Sequence, residues 1–382
     1  MRKTTILDDP KQVRKIDKSN MLDHCIRFPQ YSEDAIKRAK QAKILRKVKI
    51  SKRSFIKYGK PRNILIAGMG GSAIGGEMLQ AWLRDVLPIP IDICREHNLP
   101  AYAGAETLAF VISYSGETEE TLKAFLEAIR RRCMTLTITS GGHLLSFSKK
   151  LNIPYVSIPE GLPPRASFPY IFFPCAIVLN KTTFIPKIEG EIGEALGVLR
   201  RVAEENAPII PTKNNLSKKL ALELEGTIPV IYGFGPYEAV AHRMKTQFNE
   251  NSKLLSRYDV FPELNHNEVV GWGASRTLTK NFSIILIRDR EEPPEIRHRI
   301  ELTKALVSDR AKKVYEIYAV GRGRLAKMLS VLLVGDLLSV YLAVLRGVDP
   351  FPVKPIEDVK RSIRERFDLD RTLKAEIENI LS

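Results

Sequence analysis

Between Ser113 and Thr121 the chain reads Ser-Tyr-Ser-Gly-Glu-Thr-Glu-Glu-Thr, which places four hydroxyls and a glycine within nine residues. An apolar run, Leu108–Ser113, precedes it, and Leu122, Phe125, Leu126 and Ile129 follow at helical spacing. The hydroxyls therefore fall where a strand becomes a helix. A neutral loop of this kind binds a phosphate monoester through hydroxyl and amide donors and the positive end of the helix dipole. A Ser or Thr N-cap followed by Glu would need one hydroxyl. Ser113, Ser115, Thr118 and Thr121 are more than capping requires.

A second strand-to-helix turn lies upstream, in Ile64–Glu77. Ile64–Ala67 is apolar, Gly68, Gly70, Gly71, Gly75 and Gly76 follow, and Met78, Leu79, Trp82 and Leu83 open a helical pattern. Glycine permits the positive-φ backbone that lets N–H groups converge on an anion. No Gly-Lys-Ser/Thr follows, which excludes a P-loop. Gly68-x-Gly70-x-x-Ala73 passes a loose dinucleotide pattern. The acidic residue that would hold a ribose is missing at its expected place, and Glu96 lies too far on.

Three further side chains could do proton or charge chemistry. Glu250 lies near the end of a predicted helix, in a polar run, Gln247–Ser252, that interrupts an apolar periodicity. On its own it reads as an ordinary exposed helical Glu. His266, one of six histidines, follows Pro262 in Asn265-His266-Asn267-Glu268 and titrates in the range an acid/base needs. Arg165 follows Pro163 and Pro164 at the start of an apolar helix, Phe168–Leu179. The prolines fix its approach, and the dipole disfavours a cation there, so its placement points to a role other than helix stability.

From Pro61 to about Asn180 strands and helices alternate, with strands expected at Ile64–Ala67, Ile89–Cys94, Leu108–Ser113, Thr135–Thr139 and Tyr155–Ile158. Such alternation predicts a parallel sheet covered on both faces, with ligands at the carboxyl ends of the strands. After a crossing at Lys181–Glu189 and a helix at Ile192–Asn206, a second set follows. Its strands are expected at Ile228–Tyr232, Phe282–Arg288 and Val314–Tyr318, and its helices at about Tyr237–Lys253, Glu295–Ala311 and Arg324–Arg346. Gly233-Phe-Gly235-Pro236 echoes the first glycine turn but lacks the serine cluster. We therefore expect two α/β domains of one topology, of which only the first binds phosphate tightly.

The motifs Gly68-Met-Gly-Gly-Ser-Ala-Ile-Gly-Gly76, Ser113–Thr121 and Ser140-Gly-Gly142, in this order, resemble the sugar-isomerase (SIS) domain. Pro163–Tyr170, Phe248–Lys253, Glu263–Trp272 and Tyr341–Val353 narrow the resemblance to the bifunctional phosphoglucose/phosphomannose isomerases, from about Asp17 to about Phe367. The resemblance implies two three-layer SIS domains. These would be an N-terminal helical segment 1–50 packing on the first domain, SIS domain 1 over 51–188 with the phosphate site, SIS domain 2 over 189–367 with the catalytic Glu and His, and a tail helix 368–382.

It also implies cofactor-free interconversion of glucose 6-phosphate and mannose 6-phosphate with fructose 6-phosphate through a cis-enediol. That chemistry needs a base near C2, charge stabilisation for the enediolate and an acid/base to open the ring. By resemblance Glu250 is the base, Arg165 stabilises the enediolate in place of a metal, and His266, supplied by the partner subunit of a homodimer, opens the ring. Ser113, Ser115 and Thr118 match the phosphate-binding residues, and Gly71 and Ser72 match a second loop toward the sugar. A C-terminal lysine assists His266. Lys360 matches best, with Lys354 six residues earlier as the other choice. The family carries a Thr near an Asp-Pro pair; here the run is Asp349-Pro350-Phe351-Pro352, a departure that bears on the mannose phosphate activity.

Other readings within the same domain class are a non-catalytic sugar-phosphate sensor and an isomerase of hexulose or amino-sugar phosphates. A sensor would carry a helix-turn-helix that the first 60 residues do not suggest, and it would not need Glu250, Arg165 and His266. An amidotransferase-linked enzyme would need an N-terminal Cys.

Composition bounds the rest. The 382 residues carry a net charge of +16, and Lys37–Arg62 holds twelve basic residues and no acidic one. We read that run as a solvated face rather than a nucleic-acid site, and the general basicity as suited to an anionic substrate. Cys25, Cys94, Cys133 and Cys175 have no metal or disulfide spacing, so no metal site is expected. Met328–Leu345 has the length of a membrane span, but Asp336 at its middle makes it a buried core helix. The N-terminus is not a signal peptide, and a cytoplasmic protein is expected.

Overall fold

Runs such as Ile64–Ala67 and Leu108–Ile112 are apolar on both pleat faces, so a strand made from them is satisfied only when both faces are covered. In the structure, a computed structural model that describes residues 5–51, 54–182, 185, 188–367 and 369–381, they lie inside a parallel sheet. Five parallel strands stand in the order Ile91–Cys94, Asn63–Ala67, Thr107–Ile112, Met134–Thr139 and Tyr155–Ser157. Every residue of Thr107–Ile112 and Met134–Thr139 is buried.

The alternation of side chains divides the core. Leu65, Ala67, Ala109 and Val111 join one apolar cluster with Leu122, Phe125, Leu126 and Ile129 of the helix Glu119–Arg130 and Leu144 and Phe147 of the helix Gly142–Lys150. On the other face Gly76 of the helix Gly71–Leu83 approaches Ile66 so closely that a Cβ would lie 2.9 Å from its Cγ2. That helix packs on Phe168–Lys181, with room for no side chain at Gly75, whose Cβ would lie 2.5 Å from Ile171 Cγ2.

The second set of strands forms a separate parallel sheet in the order Lys313–Tyr318, Phe282–Arg288, Ile228–Phe234 and Arg257–Phe261. Numbered within its own set, each sheet runs 2-1-3-4 from one edge, and the first sheet adds a fifth strand. The shared order matches the expectation of one topology. Arg257–Phe261 was not anticipated, because its positions are only partly buried and it shows no apolar run.

The chain divides into two compact units, and each is discontinuous. One holds residues 1–29 and 189–352, the other 30–188 and 353–382. This corrects the contiguous division expected from the sequence at both ends. The N-terminal helices join the second sheet's unit because Met21, Leu22 and Cys25 are buried where the helix Met21–Ile26 packs on Arg324–Leu345. Asp8 also accepts bonds from Thr212 and the buried Lys218.

At the other end the helices Lys354–Phe367 and Leu369–Leu381 join the first sheet's unit. Leu373 and Ile377 are buried in its core cluster, and Arg130 pairs with Glu376 at 2.9 Å. Asp368 and Ser382, the ends of the expected tail helix, lie outside the described residues, as do residues 1–4 and positions 183, 184, 186 and 187 of the crossing.

The basic run is not wholly helical. Lys47–Lys49 and Phe55–Lys57 form an antiparallel pair with Val48 and Ile56 buried opposite each other, leaving Lys47, Lys49 and Lys57 exposed. Lys52 and Arg53 lie outside the described residues. The helix Arg324–Leu345 is long and apolar enough to cross a membrane, and 94% of its most apolar window is buried within the protein.

Ile377→Ala should lower the stability of the first sheet's unit by about 2–5 kcal/mol, because it empties a closed part of the core. Urea denaturation followed by tryptophan fluorescence at Trp82 checks this, and an unchanged midpoint would mean that the last helix is a mere tail.

Candidate active site

In a 2-1-3-4-5 sheet the strand order reverses between strands 1 and 3, and a crevice opens there at their carboxyl ends. Strands 1 and 3 of the first sheet are Asn63–Ala67 and Thr107–Ile112, and the crevice is flanked by the glycine turn and the serine turn. Gly68 passes so near strand 3 that a Cβ would lie 2.9 Å from the Ile112 carbonyl oxygen and 3.0 Å from Ser72 Cβ. Gly70 takes φ +51° and starts the helix with no side chain in the cap position. A Cβ on Gly71 would meet the Pro164 oxygen at 3.2 Å and Arg165 Cα at 3.7 Å. The short turn Pro164–Ser167 therefore rests on the glycine turn, and Arg165, only 4% exposed, is carried beside it.

The serine turn is folded by its own hydroxyls. Ser113 Oγ is buried, donates to Thr118 Oγ1 at 3.0 Å and accepts the Gly116 amide at 3.1 Å. The exposed Ser115 accepts the Glu117 amide at 3.2 Å. Thr118 occupies the N-cap of Glu119–Arg130, yet its side chain makes no capping bond. The hydroxyls thus shape the turn rather than cap the helix, and the first-turn amides keep the orphan donors of an uncapped N-terminus.

A third turn, after Met134–Thr139, buttresses the second. Ser140 Oγ and its amide both reach the Tyr114 carbonyl, at 2.7 and 3.0 Å. Gly116, at φ +71°, passes the Gly141 carbonyl oxygen so tightly that a Cβ would lie 1.9 Å from it. Gly142, at φ +67°, leaves room for the Glu117 carboxylate, which a Cβ would approach to 2.5 Å. That carboxylate accepts the His143 amide at 2.9 Å, His143 Nδ1 at 2.9 Å and Arg364 Nη2 at 3.0 Å. Sequence reasoning missed Glu117, His143 and Arg364. The only local signals were a Glu inside the hydroxyl cluster and a His directly after Gly142.

Lys360 was expected in the second domain. It stands instead in the unit of the serine turn, exposed on the helix Lys354–Phe367, one turn before Arg364. Lys354 is the first residue of that helix and lies further round from the Arg364 face. Gly71, Ser72, Ser113, Ser115, Thr118, Arg165 and Lys360 therefore share one unit, and Glu250 and His266 belong to the other.

In that other unit Glu250 is the last residue of the helix Tyr237–Glu250 and is half-buried. The next two residues are buried and tied to the apolar helix Arg324–Leu345. Asn251 Nδ2 donates to Ser339 Oγ at 2.9 Å, and Ser252 Oγ donates to the Ser339 carbonyl at 2.6 Å. Two turns earlier Arg243 grips Asp336 through two bonds, at 3.0 and 2.7 Å, with both side chains buried. The polar residues inside the apolar helix thus anchor the helix end that presents Glu250.

His266 closes a short turn, Glu263–His266, and is exposed. Leu264 is fully buried below it, and Asn265 Nδ2 donates to Thr303 Oγ1 at 2.8 Å. Glu268 accepts from Tyr232 at 3.1 Å and Arg257 at 2.8 Å, and Trp272 Nε1 donates to the Tyr232 hydroxyl at 2.7 Å, which folds the segment back on its own sheet.

The position equivalent to the serine turn in this unit follows Phe282–Arg288 and carries acids instead of hydroxyls. Asp289 accepts from Tyr237 at 2.6 Å, from the Glu291 amide at 2.9 Å and from Lys327 at 3.1 Å. Burial works against its charge, but those donors hold its carboxyl below the usual carboxylate range. A fixed negative charge there opposes a phosphate dianion.

Two parallel α/β units of one strand order, with a hydroxyl-bearing turn at the switch point of the first, have the architecture of the SIS class. The model of the bacterial phospho-glucose isomerase C-terminal SIS domain matches residues 213–363. The chain is 39% identical over 306 residues to a bifunctional phosphoglucose/phosphomannose isomerase of Caldicellulosiruptor bescii, covering 80% of this chain and 90% of that protein. It is 36% identical over 303 residues to the enzyme of the same name from Thermoplasma acidophilum, covering 79% and 89%. The C-terminal domain of glucosamine-fructose-6-phosphate aminotransferase from Francisella tularensis shares the fold, with a TM-score of 0.64 over 87% of this chain and 98% of that one at 19% identity. The protein belongs to the bifunctional phosphoglucose/phosphomannose isomerase family, a family of enzymes.

Gly116→Ala should open the serine turn, because the added Cβ cannot coexist with the Gly141 carbonyl. The inhibition constant of inorganic phosphate should rise about tenfold, equivalent to about 1.4 kcal/mol of lost binding. Asp336→Ala should cost about 3–5 kcal/mol of folding stability by removing the carboxylate that accepts two bonds from the buried Arg243 guanidinium. Chemical denaturation reads it, and a loss within about 0.5 kcal/mol, the range of an ordinary surface substitution, would contradict the anchoring role.

Proposed function

We propose that the protein interconverts glucose 6-phosphate and mannose 6-phosphate with fructose 6-phosphate, without a cofactor, through a cis-enediol intermediate. The observation that carries the proposal is the serine turn. Ser113, Ser115 and Thr118 gather at an uncapped helix N-terminus on the switch point of a parallel sheet, in a chain of this family. Hydroxyls and amides bind the phosphoryl group there, and Gly71 and Ser72 of the neighbouring turn meet the sugar end.

Glu250 takes the proton from C2 or C1 and returns it to the other carbon. The Arg165 guanidinium offsets the negative charge that develops on the enediolate oxygens. His266 and Lys360 pass protons to and from the ring oxygen and the anomeric hydroxyl as the ring opens. We assign His266 to the partner subunit's site in a homodimer. Its exposure supports this, as do exposed apolar side chains on neighbouring segments of the same unit. Val270 follows it in the chain, and Leu302 and Leu306 share one face of the helix that holds Asn265. The cytoplasm is where such substrates are met. The remaining basic charge favours anionic sugars in general.

Glu250→Gln should lower kcat by several orders of magnitude, as loss of the group that carries the proton between C1 and C2 does, while the inhibition constant of a phosphate-sugar analogue stays within a few-fold. Assays with mannose 6-phosphate and with fructose 6-phosphate, in the presence of a chelator, check the substrate range and metal independence together. Substantial turnover by the variant would refute the base assignment. Turnover of glucose 6-phosphate alone would trace to the run Asp349-Pro350-Phe351-Pro352, which lacks the Thr that the resemblance led us to expect near Asp-Pro.

A further inference from the structure

The Ser140-Gly-Gly142 motif and the C-terminal helices are unexplained by the roles above, and they meet at one carboxylate. Glu117 sits inside the serine turn, between Gly116 and Thr118, but its side chain is spent on neither substrate nor helix cap. It fills the space left by Gly142 and accepts from three donors: the His143 amide, His143 Nδ1 and Arg364 Nη2. A carboxylate only accepts, so the ring proton of His143 sits on Nδ1. Two chain segments, at positions 142–143 and 364, are thus tied to the turn that holds the phosphoryl group.

Among the described residues, Arg364 gives the Lys354–Phe367 helix a polar tie to this unit, and Ile363 beside it gives an apolar one. The preceding turns are exposed, with Ile356 and Val359 at 43% and 59%. Lys360 precedes Arg364 by four residues, one turn of helix, so the two side chains lie over one another on the same face. Fixing Arg364 against Glu117 therefore fixes the helix face from which Lys360 projects relative to the serine turn.

We propose that Glu117 is a positioning residue: through Arg364 it docks the Lys360 helix on the phosphate-binding turn, so that the ring-opening lysine is set in register with the bound phosphoryl group. The proposal rests on the assignment of Lys360 made above. In this role Glu117 and Arg364 act through Lys360 and not on the substrate itself. Loss of the Glu117–Arg364 bond leaves the bonds of the Ser113, Ser115 and Thr118 hydroxyls intact and lets the lysine wander, and misplacement by an ångström costs up to roughly a hundredfold in rate.

The test is a double-mutant cycle in the full-length protein, with kcat, KM and the inhibition constant of inorganic phosphate measured for each variant. Arg364→Met and Glu117→Gln should each lower kcat roughly tenfold, while KM and phosphate inhibition stay within about twofold. Added to Lys360→Met, Arg364→Met should change kcat no further, because it acts only through the lysine. A merely structural loss would add to the lysine's effect and lower the melting temperature alongside kcat.

Full activity of Arg364→Met beside a crippled Lys360→Met overturns the positioning role alone, as does a fully additive double variant. Full activity of Lys360→Met removes the lysine's assignment and this inference together. The Glu250→Gln result is independent of both.

Discussion

The candidate site depends on how closely three backbone turns pass one another at the carboxyl ends of neighbouring parallel strands. Gly68 against Ile112, Gly116 against Gly141 and Gly142 against Glu117 are approaches at which a Cβ would sit 2.9, 1.9 and 2.5 Å from another atom. None of the three positions accepts a side chain without moving a neighbour. The price of such crowding is a fixed set of glycines, and its result is a turn whose hydroxyls and amides are oriented by protein bonds alone. Donors held this way need little reorganisation when charge arrives. They are also neutral, so in the function proposed above they would bind the phosphoryl group without adding a cation of their own.

The second unit repeats the strand order but uses it differently. Its equivalent turn is closed by Asp289, Tyr237 and Lys327, and its candidate residues Glu250 and His266 sit at a helix end and on a loop. The helix end is held by polar groups buried inside an otherwise apolar helix, Asp336 toward Arg243 and Ser339 toward Asn251 and Ser252. A buried pair of this kind contributes little net stability compared with apolar packing. Its value here is location: Arg243 and Asp336 lie in one register only, which sets the rotation of the helix that ends at Glu250.

Much of the fold was legible because buried parallel strands announce themselves as apolar runs followed by turn residues. All five strands of the first sheet were recognisable in this way, as were the glycine and serine turns. Arg257–Phe261 was not, because an edge strand of mixed polarity carries no run. The Lys47–Lys49 hairpin was hidden in a charged stretch from which Val48, Ile50 and Ile56 face inward.

The exchange of terminal segments between units could not be read either. Leu373 and Ile377 mark an apolar face four residues apart, and such a face says that it needs a partner without saying which sheet supplies it. Glu117, His143 and Arg364 escaped for the same reason: they are 26 and 247 residues apart from Glu117, and each alone reads as an ordinary surface side chain.

The central claim is that the two similar glycine turns are chemically unlike, and that only the one beside the serines holds the phosphoryl group. A crystal structure of the protein with fructose 6-phosphate bound tests it most directly. The account predicts the phosphoryl oxygens within hydrogen-bonding distance of Ser113, Ser115 and Thr118. A phosphoryl group resting instead at Gly233–Pro236, beside Asp289, would contradict it.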